Sequence, residues 1–122
     1  MQYLPNADAA RRMDTAALRE NFLVTDLWSP GKVALRLFDL DRVVLGGAMP
    51  LGAALSLEAP PALRAEYFCE RREIGVLNIG GRGSVTVDGE SFVLSAHDAL
   101  YVGCGSRDVR FESNSADSPA RF

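Results

Sequence analysis

One dipeptide, Asp88-Gly89, limits the folds open to this chain more than any other feature. It separates two runs in which apolar and polar residues alternate. Asp-Gly in that setting predicts a type I′ turn, because both central residues of such a turn need positive φ. Val85 and Val87 would share one face of the strand before the turn. The sequence therefore predicts an antiparallel hairpin whose first strand covers residues 83–87.

Further strands are predicted on both sides of this hairpin, separated by turn signals. The Gly80-Gly81-Arg82-Gly83 corner precedes it, Ser29-Pro30-Gly31 and Pro60-Pro61 break earlier runs, and Gly46-Gly47 is expected to end or bulge a strand. The other predicted strands cover residues 23–28, 32–40, 43–45, part of 48–57, 73–79, 99–102 and 109–112. Many short strands separated by turns predict an all-β domain built as a small antiparallel barrel.

The two ends of the chain depart from this strand pattern. Residues 1–13 predict an extended arm, and Asp14 or Thr15 is placed to cap a short N-terminal helix. Leu18 and Phe22 would lie on one side of that helix, which we expect to pack over the open end of the barrel. The predicted single domain, residues 1–122, divides into arm 1–13, helix 14–22, barrel 23–112 and a polar tail or linker 113–122.

Composition and charge limit the class of protein. A net charge of −3 and a pI near 5.1 argue against nucleic acid or an anionic membrane as partner. No segment approaches the ~18 apolar residues of a membrane-spanning helix, and the first residues lack the apolar core of a signal peptide. Cys69 and Cys104 lack CxxC spacing, so we expect reduced, buried and unreactive thiols in a cytoplasmic protein.

Five segments carry a resemblance to a known family. They are DTAALRENFLV (14–24), DRVVLGGAMPL (41–51), FCERREIGVLNIGGRGSVTVDG (68–89), HDALYVGCG (97–105) and SPARF (118–122). Together they extend over nearly the whole chain and resemble the N-terminal half of the 5-keto-4-deoxyuronate isomerases of bacterial pectin breakdown. These enzymes are also called 4-deoxy-L-threo-5-hexosulose-uronate ketol-isomerases. Runs of this length are far more specific than a short motif.

The resemblance implies a fold, an activity and partners. The family is a duplicated cupin, so the chain would be a single cupin-like antiparallel β-barrel, a jelly roll, equivalent to the first of two barrels. The implied reaction is ketol isomerisation of 5-dehydro-4-deoxy-D-glucuronate to 3-deoxy-D-glycero-2,5-hexodiulosonate. The family's zinc is expected in the second barrel, so no cofactor is expected in this chain. A homo-oligomer, a hexamer when complete, or pairing with a second cupin half is implied.

Cupin metal sites need three or four nitrogen or carboxylate ligands that converge inside the barrel. Against this pattern the ligand positions fall near Tyr67, Cys69, Glu73 and Asp108, none of which is a histidine. The one histidine, His97, is expected in a turn before a strand. A site built from Cys69, Glu73, His97 and Asp108 matches no compact metal motif, so no metal ligand is predicted.

A charge cluster, Glu70-Arg71-Arg72-Glu73, and one tyrosine supply the remaining candidates. Arg71 or Arg72 could hold the carboxylate of a sugar acid in a bidentate fork, although on a strand such a run more often forms surface or interface ion pairs. Glu73 and Tyr101 are the candidate acid–base groups. The alternative for Tyr101 is a core residue with its hydroxyl at the rim. Asn78 is expected to be a buried polar residue, with no role assigned.

Three functional hypotheses follow from the sequence. The first is the non-metal half of the isomerase, which supplies scaffold, oligomer contacts and a pocket wall and is inactive by itself. The second is a free-standing cupin that binds a small molecule or a partner without catalysis. The third is a metal-free enzyme that uses Glu73, Arg71 and Tyr101 as acid–base and binding groups.

Overall fold

The computed structural model describes residues 1–122, and its regular elements are short. The helices are α1 (Ala7–Ala10) and α2 (Thr15–Phe22), with 3₁₀ turns at Leu40–Arg42 and Pro61–Leu63. The strands are β1 (Val33–Leu37), β2 (Val44–Ala48), β3 (Leu55–Ser56), β4 (Ile74–Leu77), β5 (Gly83–Val87), β6 (Glu90–Leu94), β7 (Ala99–Val102) and β8 (Val109–Ser113). The prediction of an all-β domain is confirmed. No helix combines the length and apolar character needed to cross a bilayer.

The strands form three antiparallel sheets. β1 pairs with β2, β4 pairs with β7, and a four-stranded sheet has the order β3-β8-β5-β6. The backbone ladders leave these sheets separate and do not join them into one continuous barrel. All three sheets nevertheless contribute to one core, in which Ala48 of β2, Val76 of β4, Val85 of β5 and Phe111 of β8 are each at most 5% exposed.

The predicted hairpin is present between β5 and β6. Val87 is opposite Glu90, and both turn residues have positive φ, 48° at Asp88 and 88° at Gly89, as a type I′ turn requires. The Asp88 carboxylate also accepts the backbone N–H of Asp108 at 2.9 Å. The turn is thereby fixed to the loop that precedes β8.

Residues 23–28, predicted as a strand, form none. The backbone of Leu27 lies across β2, at the place where a side chain on Gly47 would be. Because this segment crosses β2 and does not run beside it, its backbone cannot join the ladder. A second difference is that Gly46 and Gly47, expected to end or bulge a strand, lie within regular β2 pairing, and the Leu27 contact accounts for the glycine at position 47.

Helix α2 begins as predicted but packs differently. The Asp14 side chain caps it by accepting the N–H of Ala17 at 2.8 Å. No α2 residue is buried, and Leu18 and Phe22 remain 39% and 43% exposed. The expectation that this helix covers an open end of the barrel is therefore wrong, and its apolar side faces solvent. The arm before it is also not fully extended, because it contains α1.

The segment predicted as a tail or linker, 113–122, ends inside the core. Ala120 and Phe122 are 0% and 8% exposed, and the ring centroids of Phe122 and Phe111 lie 5.5 Å apart. The N–H of Ala48 donates to the carbonyl of Phe122 at 2.9 Å, and the N–H of Phe122 donates back to Ala48 at 3.0 Å. The last residues thus continue the sheet beside the end of β2.

Candidate functional site

Glu73 and Tyr101, the two acid–base candidates, lie together although they are 28 residues apart in the chain. Tyr101 is opposite Gly75 in the β4–β7 pair, and Glu73 directly precedes β4. The Tyr101 hydroxyl donates a hydrogen bond of 2.6 Å to Glu73 Oε2. This bond raises the pKa of Tyr101 above its ordinary value, because ionisation would break the bond and place a phenolate beside a carboxylate.

The Glu73–Tyr101 pair is exposed to water. The Tyr101 side chain is 67% exposed. A phenol with a raised pKa stays protonated at neutral pH, and its proton is already committed to Glu73. No further acid, base or oxyanion-type donor is hydrogen-bonded to either side chain. The pair can therefore hold a polar group at the surface, but it lacks the third group and the dry surroundings that proton abstraction from carbon normally uses.

Arg71 and Arg72 are held by different partners. They lie in the turn before β4 and not on a strand, so the alternation assumed for this run does not apply. Arg71 donates to the backbone carbonyl of Arg64 at 2.6 Å, whereas the Arg72 guanidinium lies over the Phe68 ring, 5.5 Å from its centroid. Neither arginine belongs to any of the three ion pairs in the structure. Arg71 is thus partly engaged by the backbone, the Arg72 guanidinium makes no hydrogen bond within the chain, and a carboxylate fork at either residue stays a prediction.

The four residues considered as metal ligands do not form a cluster. Cys69 is fully buried, His97 is exposed in a turn with φ 71°, and Asp108 pairs with Arg110 at 2.9 Å. No group of three His, Cys, Asp or Glu side chains in the chain is placed to hold a metal ion. The donor set of this domain does not fit the tetrahedral nitrogen and carboxylate arrangement that zinc prefers.

The two thiols differ in burial. Cys69 is fully buried, and burial, together with the nearby Cys104, raises the pKa of its thiol. Cys104 was expected to be buried but is exposed, with its sulfur 3.6 Å from the Glu70 carbonyl. Cys69 is therefore a poor nucleophile, while Cys104 is open to reagents.

Asn78 joins four parts of the chain. It is fully buried, and its Nδ2 donates to the carbonyls of Gly81 at 2.8 Å and Leu94 at 3.0 Å. Its Oδ1 accepts the N–H groups of Gly80 at 3.0 Å and Arg121 at 3.2 Å. These bonds tie the end of β4 to the glycine corner, to the end of β6 and to the last residues. Asn78 has a structural role that its sequence position did not reveal.

A cleft of about 920 Å³ lies between β2 and β4. Core side chains, including Phe68, Val76 and Phe111, line it, and Phe122 lies at one end. Of its 24 lining residues 16 are hydrophobic, and the charged ones include Arg71 and Arg72. An uncharged guest with apolar groups suits this lining better than a sugar acid, which needs many hydrogen-bond partners.

Sequence reasoning missed this cleft because strand edges that are distant in the chain form it. One signal pointed to it. Leu45, Leu77 and Ile79 are 42%, 62% and 50% exposed at outward-facing strand positions, where an antiparallel sheet in water usually carries polar residues. Such apolar outer positions indicate that more protein covers this face.

Several curated proteins that resemble the chain share one name. No protein-family model matches it. It is 43% identical over 121 residues to the 4-deoxy-L-threo-5-hexosulose-uronate ketol-isomerase of Halalkalibacterium halodurans, and 47% identical over 121 residues to that of Bacillus pumilus. Identity to the Dickeya dadantii protein of the same name is 40% over 119 residues.

The matches cover the chain and the relatives unequally. The first two alignments include 99% of this chain but 44% of each relative, and the third includes 96% and 43%. The chain thus spans less than half the length of the curated relatives it matches. The resemblance to the N-terminal half of these isomerases, inferred from the sequence, is confirmed.

Proposed function

We propose, from this homology to one half of the ketol-isomerases, that the domain is the supporting, non-metal half of such an enzyme. The complete enzyme would convert 5-dehydro-4-deoxy-D-glucuronate to 3-deoxy-D-glycero-2,5-hexodiulosonate in uronate breakdown. In this proposal the domain supplies scaffold and contact surface and is inactive by itself. The observation that carries the proposal is the match over 99% of the chain to less than half of each relative.

The chemistry of the reaction supports a division of labour. Ketol isomerisation moves a proton between adjacent carbons while the carbonyl is polarised, so a base and an electrophile must converge on the substrate. Here the only assembled acid–base pair, Glu73 and Tyr101, is exposed and satisfied internally. Zinc would be held by the second half, since the donor residues of this domain do not converge. The second half would therefore carry the reacting groups.

The proposed partners are other protein surfaces. Outward-facing Leu45, Leu77 and Ile79, and the apolar side of α2, remain in water in the isolated domain. We infer a cupin-type assembly in which these surfaces meet a second cupin half and further copies, as in a homo-oligomer. A cytoplasmic setting is consistent with two free cysteines. Neither nucleic acid nor a membrane is proposed as a partner.

An isomerase assay tests the proposal. The purified 122-residue chain, shown to be folded by circular dichroism and supplied with zinc, is expected to give no turnover. Adding the remaining half of the Bacillus pumilus relative should restore activity. Turnover by the chain alone would overturn the proposal. If that turnover also vanished in Glu73→Gln with the fold intact, the catalytic groups would be assigned here.

A second candidate function is a small-molecule-binding module without catalysis, which the cleft between β2 and β4 favours. Its occupant would have to be largely apolar, because most of the lining is hydrophobic. Titration with D-glucuronate, followed by NMR, tests whether the occupant is instead a sugar acid. We expect no saturable shift at Arg71 or Arg72, and saturable shifts there would favour a sugar-acid module.

A further inference from the structure

The gap between β2 and β4 has the features of a place for one more strand. We propose that it receives an extended polypeptide, namely the segment that follows the position of Phe122 in the longer isomerases. The strand geometry stands independently of the proposed function. Only the source of the strand rests on it. Four observations support the proposal: the pairing at one end of the gap, the direction of free backbone groups, the lining of the cleft and the length of the relatives.

One end of the gap is already bridged by a single chain. Phe122 and Ala48 exchange both backbone hydrogen bonds, at 2.9 and 3.0 Å, which is the signature of an antiparallel narrow pair. On the other side, the N–H of Ile79 donates to the carbonyl of Arg121 at 2.9 Å. The last residues therefore run antiparallel to β2 and to β4 at once. The gap is one strand wide at this point.

The backbone groups along the rest of the gap are free and point inward. Backbone N–H and C=O groups alternate in direction along a strand. The groups of residues two and four positions from Ala48 therefore point the same way as those of Ala48. On β2 these residues are Gly46 and Val44, and the same argument from Ile79 gives Leu77 and Gly75 on β4. None of these four residues makes a backbone hydrogen bond outside its own strand pair. Each edge of the gap thus offers an unused ladder.

The chain direction at Phe122 leads into this gap. An antiparallel continuation would pass Gly46 and then Val44 on one side, and Leu77 and then Gly75 on the other. The resulting sheet would have the order β1-β2-new strand-β4-β7, and it would unite the two isolated hairpin-like pairs. In the relatives, whose chains extend beyond the aligned part, residues following this position are available to do so.

The lining of the cleft sets the side-chain pattern of the guest strand. Phe122 points to the core, where it contacts Phe111, so the second and fourth residues after it would also point inward. These two positions would lie over Phe68 and Val76 on the floor of the cleft. The first and third would lie outside, beside Leu77 and Leu45. We therefore expect apolar residues at the second and fourth positions.

The test extends the chain. The residues that follow the aligned segment in the Bacillus pumilus relative are joined to Phe122, and amide hydrogen exchange is followed by NMR. Two matched controls carry an altered extension of the same length. In one, the two residues of each successive pair are exchanged in order, which turns the inward side chains outward. The other has proline at the second added position, which removes the N–H that faces Gly46.

The expected result is slower exchange, by about tenfold or more, at the N–H groups of Val44, Gly46, Gly75 and Leu77 in the first variant only. Unchanged exchange at these four amides in a folded, extended chain would overturn the proposal. Protection that instead appears in the unextended chain and grows with its concentration would also overturn it, and would assign the gap to a second copy.

A second measurement covers the case of an extended chain that does not fold. The same segment is then added as a synthetic peptide to the unextended chain, with the order-exchanged peptide as control. Saturable shifts at these four amides with the first peptide only support the proposal, and their absence contradicts it. Restored isomerase activity without slower exchange at these four amides would contradict this inference alone. Protection without activity would sink the proposed function alone.

Discussion

The two ends of the gap between β2 and β4 differ in how their polar groups are satisfied. At the closed end, the last residues lie between the strands, and Asn78 supplies hydrogen bonds wherever the ladder is irregular. At the open end, the edges of both strands face a cleft of about 920 Å³ that core side chains line. At the closed end an inserted segment satisfies backbone groups of the kind that stay unpaired at the open end.

The two ends also differ in whether they have room for an added side chain. A side chain added at Gly81 would collide with the backbone of Ser118, and one added at Gly80 would come within 2.6 Å of Arg121 N. Nothing lies within 4 Å of the same position at Gly75. The backbone at the closed end packs so tightly that Gly80 and Gly81 leave no room for a side chain, whereas Gly75 at the open end has space.

Removing the Asn78 amide should disturb the closed end most. We expect Asn78→Ala to lower the free energy of unfolding by about 3 kcal/mol, because buried donors and acceptors on Gly80, Leu94 and Arg121 lose their partners. Urea unfolding measures this value. The exposed Asn114→Ala is the matched control and should change stability by less than about 0.5 kcal/mol. Equal effects of the two substitutions would remove the distinction between the ends.

A methyl group placed at each end sharpens the comparison. Gly81→Ala should destabilise the protein by about 2 kcal/mol, because the segment carrying Ser118 must move to relieve the collision. Gly75→Ala adds the same atoms in open space and should stay within about 0.5 kcal/mol of the parent. Thermal unfolding of both variants in one buffer is sufficient. A Gly75→Ala variant as unstable as Gly81→Ala would show that the open end is already filled.

The Glu73–Tyr101 pair at the outer side of the open end should make stability depend on pH only in the alkaline range. The folded-state pKa of Tyr101 is raised above the ordinary value of 10.0. The bond therefore stabilises the fold below that pH, and its contribution is lost as the pH rises through the raised pKa. Glu73→Gln should move the Tyr101 pKa, followed by NMR of the ring, back toward that value. Glu90→Gln, on the exposed hairpin, should leave it unchanged. A Tyr101 pKa that does not change in Glu73→Gln would contradict the hydrogen bond.

Chemical modification of the two thiols should distinguish the open cleft from the buried core, with little change in stability. Cys104 lines the cleft and is exposed, so iodoacetamide should modify it in the native protein. Cys69, buried and with a raised pKa, should react only after unfolding. Mass spectrometry of the native and urea-unfolded chain counts the modified thiols, and Cys104→Ser is the control. Modification of Cys69 in the native control variant would mean that the core opens near this residue.

Local sequence rules predicted the local structure well. The Asp88-Gly89 turn and the Asp14 cap each depend on a few neighbouring residues, so propensity and spacing are sufficient to place them. The strand predicted at 23–28 failed because a distant contact decided its course. Leu27 crosses Gly47, and no pattern within the segment encodes that crossing.

The candidate site was predicted only in part. Glu73 and Tyr101 were selected as chemical types, and their hydrogen bond depends on the β4–β7 register, which the sequence does not specify directly. For Arg71 and Arg72 the sequence offered a carboxylate fork or ion pairs on a strand, but both lie before β4, where Arg71 bonds to a backbone carbonyl and Arg72 lies over Phe68. The cleft was missed, because strands that are distant in the chain form it and its lining side chains make up no recognisable motif.

The position of Phe122 also affects how the protein is made. Trp28 Nε1 donates to the Phe122 carbonyl across 94 residues of sequence, and Asn78 contacts Arg121 across 43. Contacts of such long range slow folding, since the loops must close before the contacts form. During synthesis, β2 and β4 leave the ribosome long before residue 122 can join them. In the nascent domain the backbone edges of β2 and β4 therefore stay without these partners until residues 118–122 emerge.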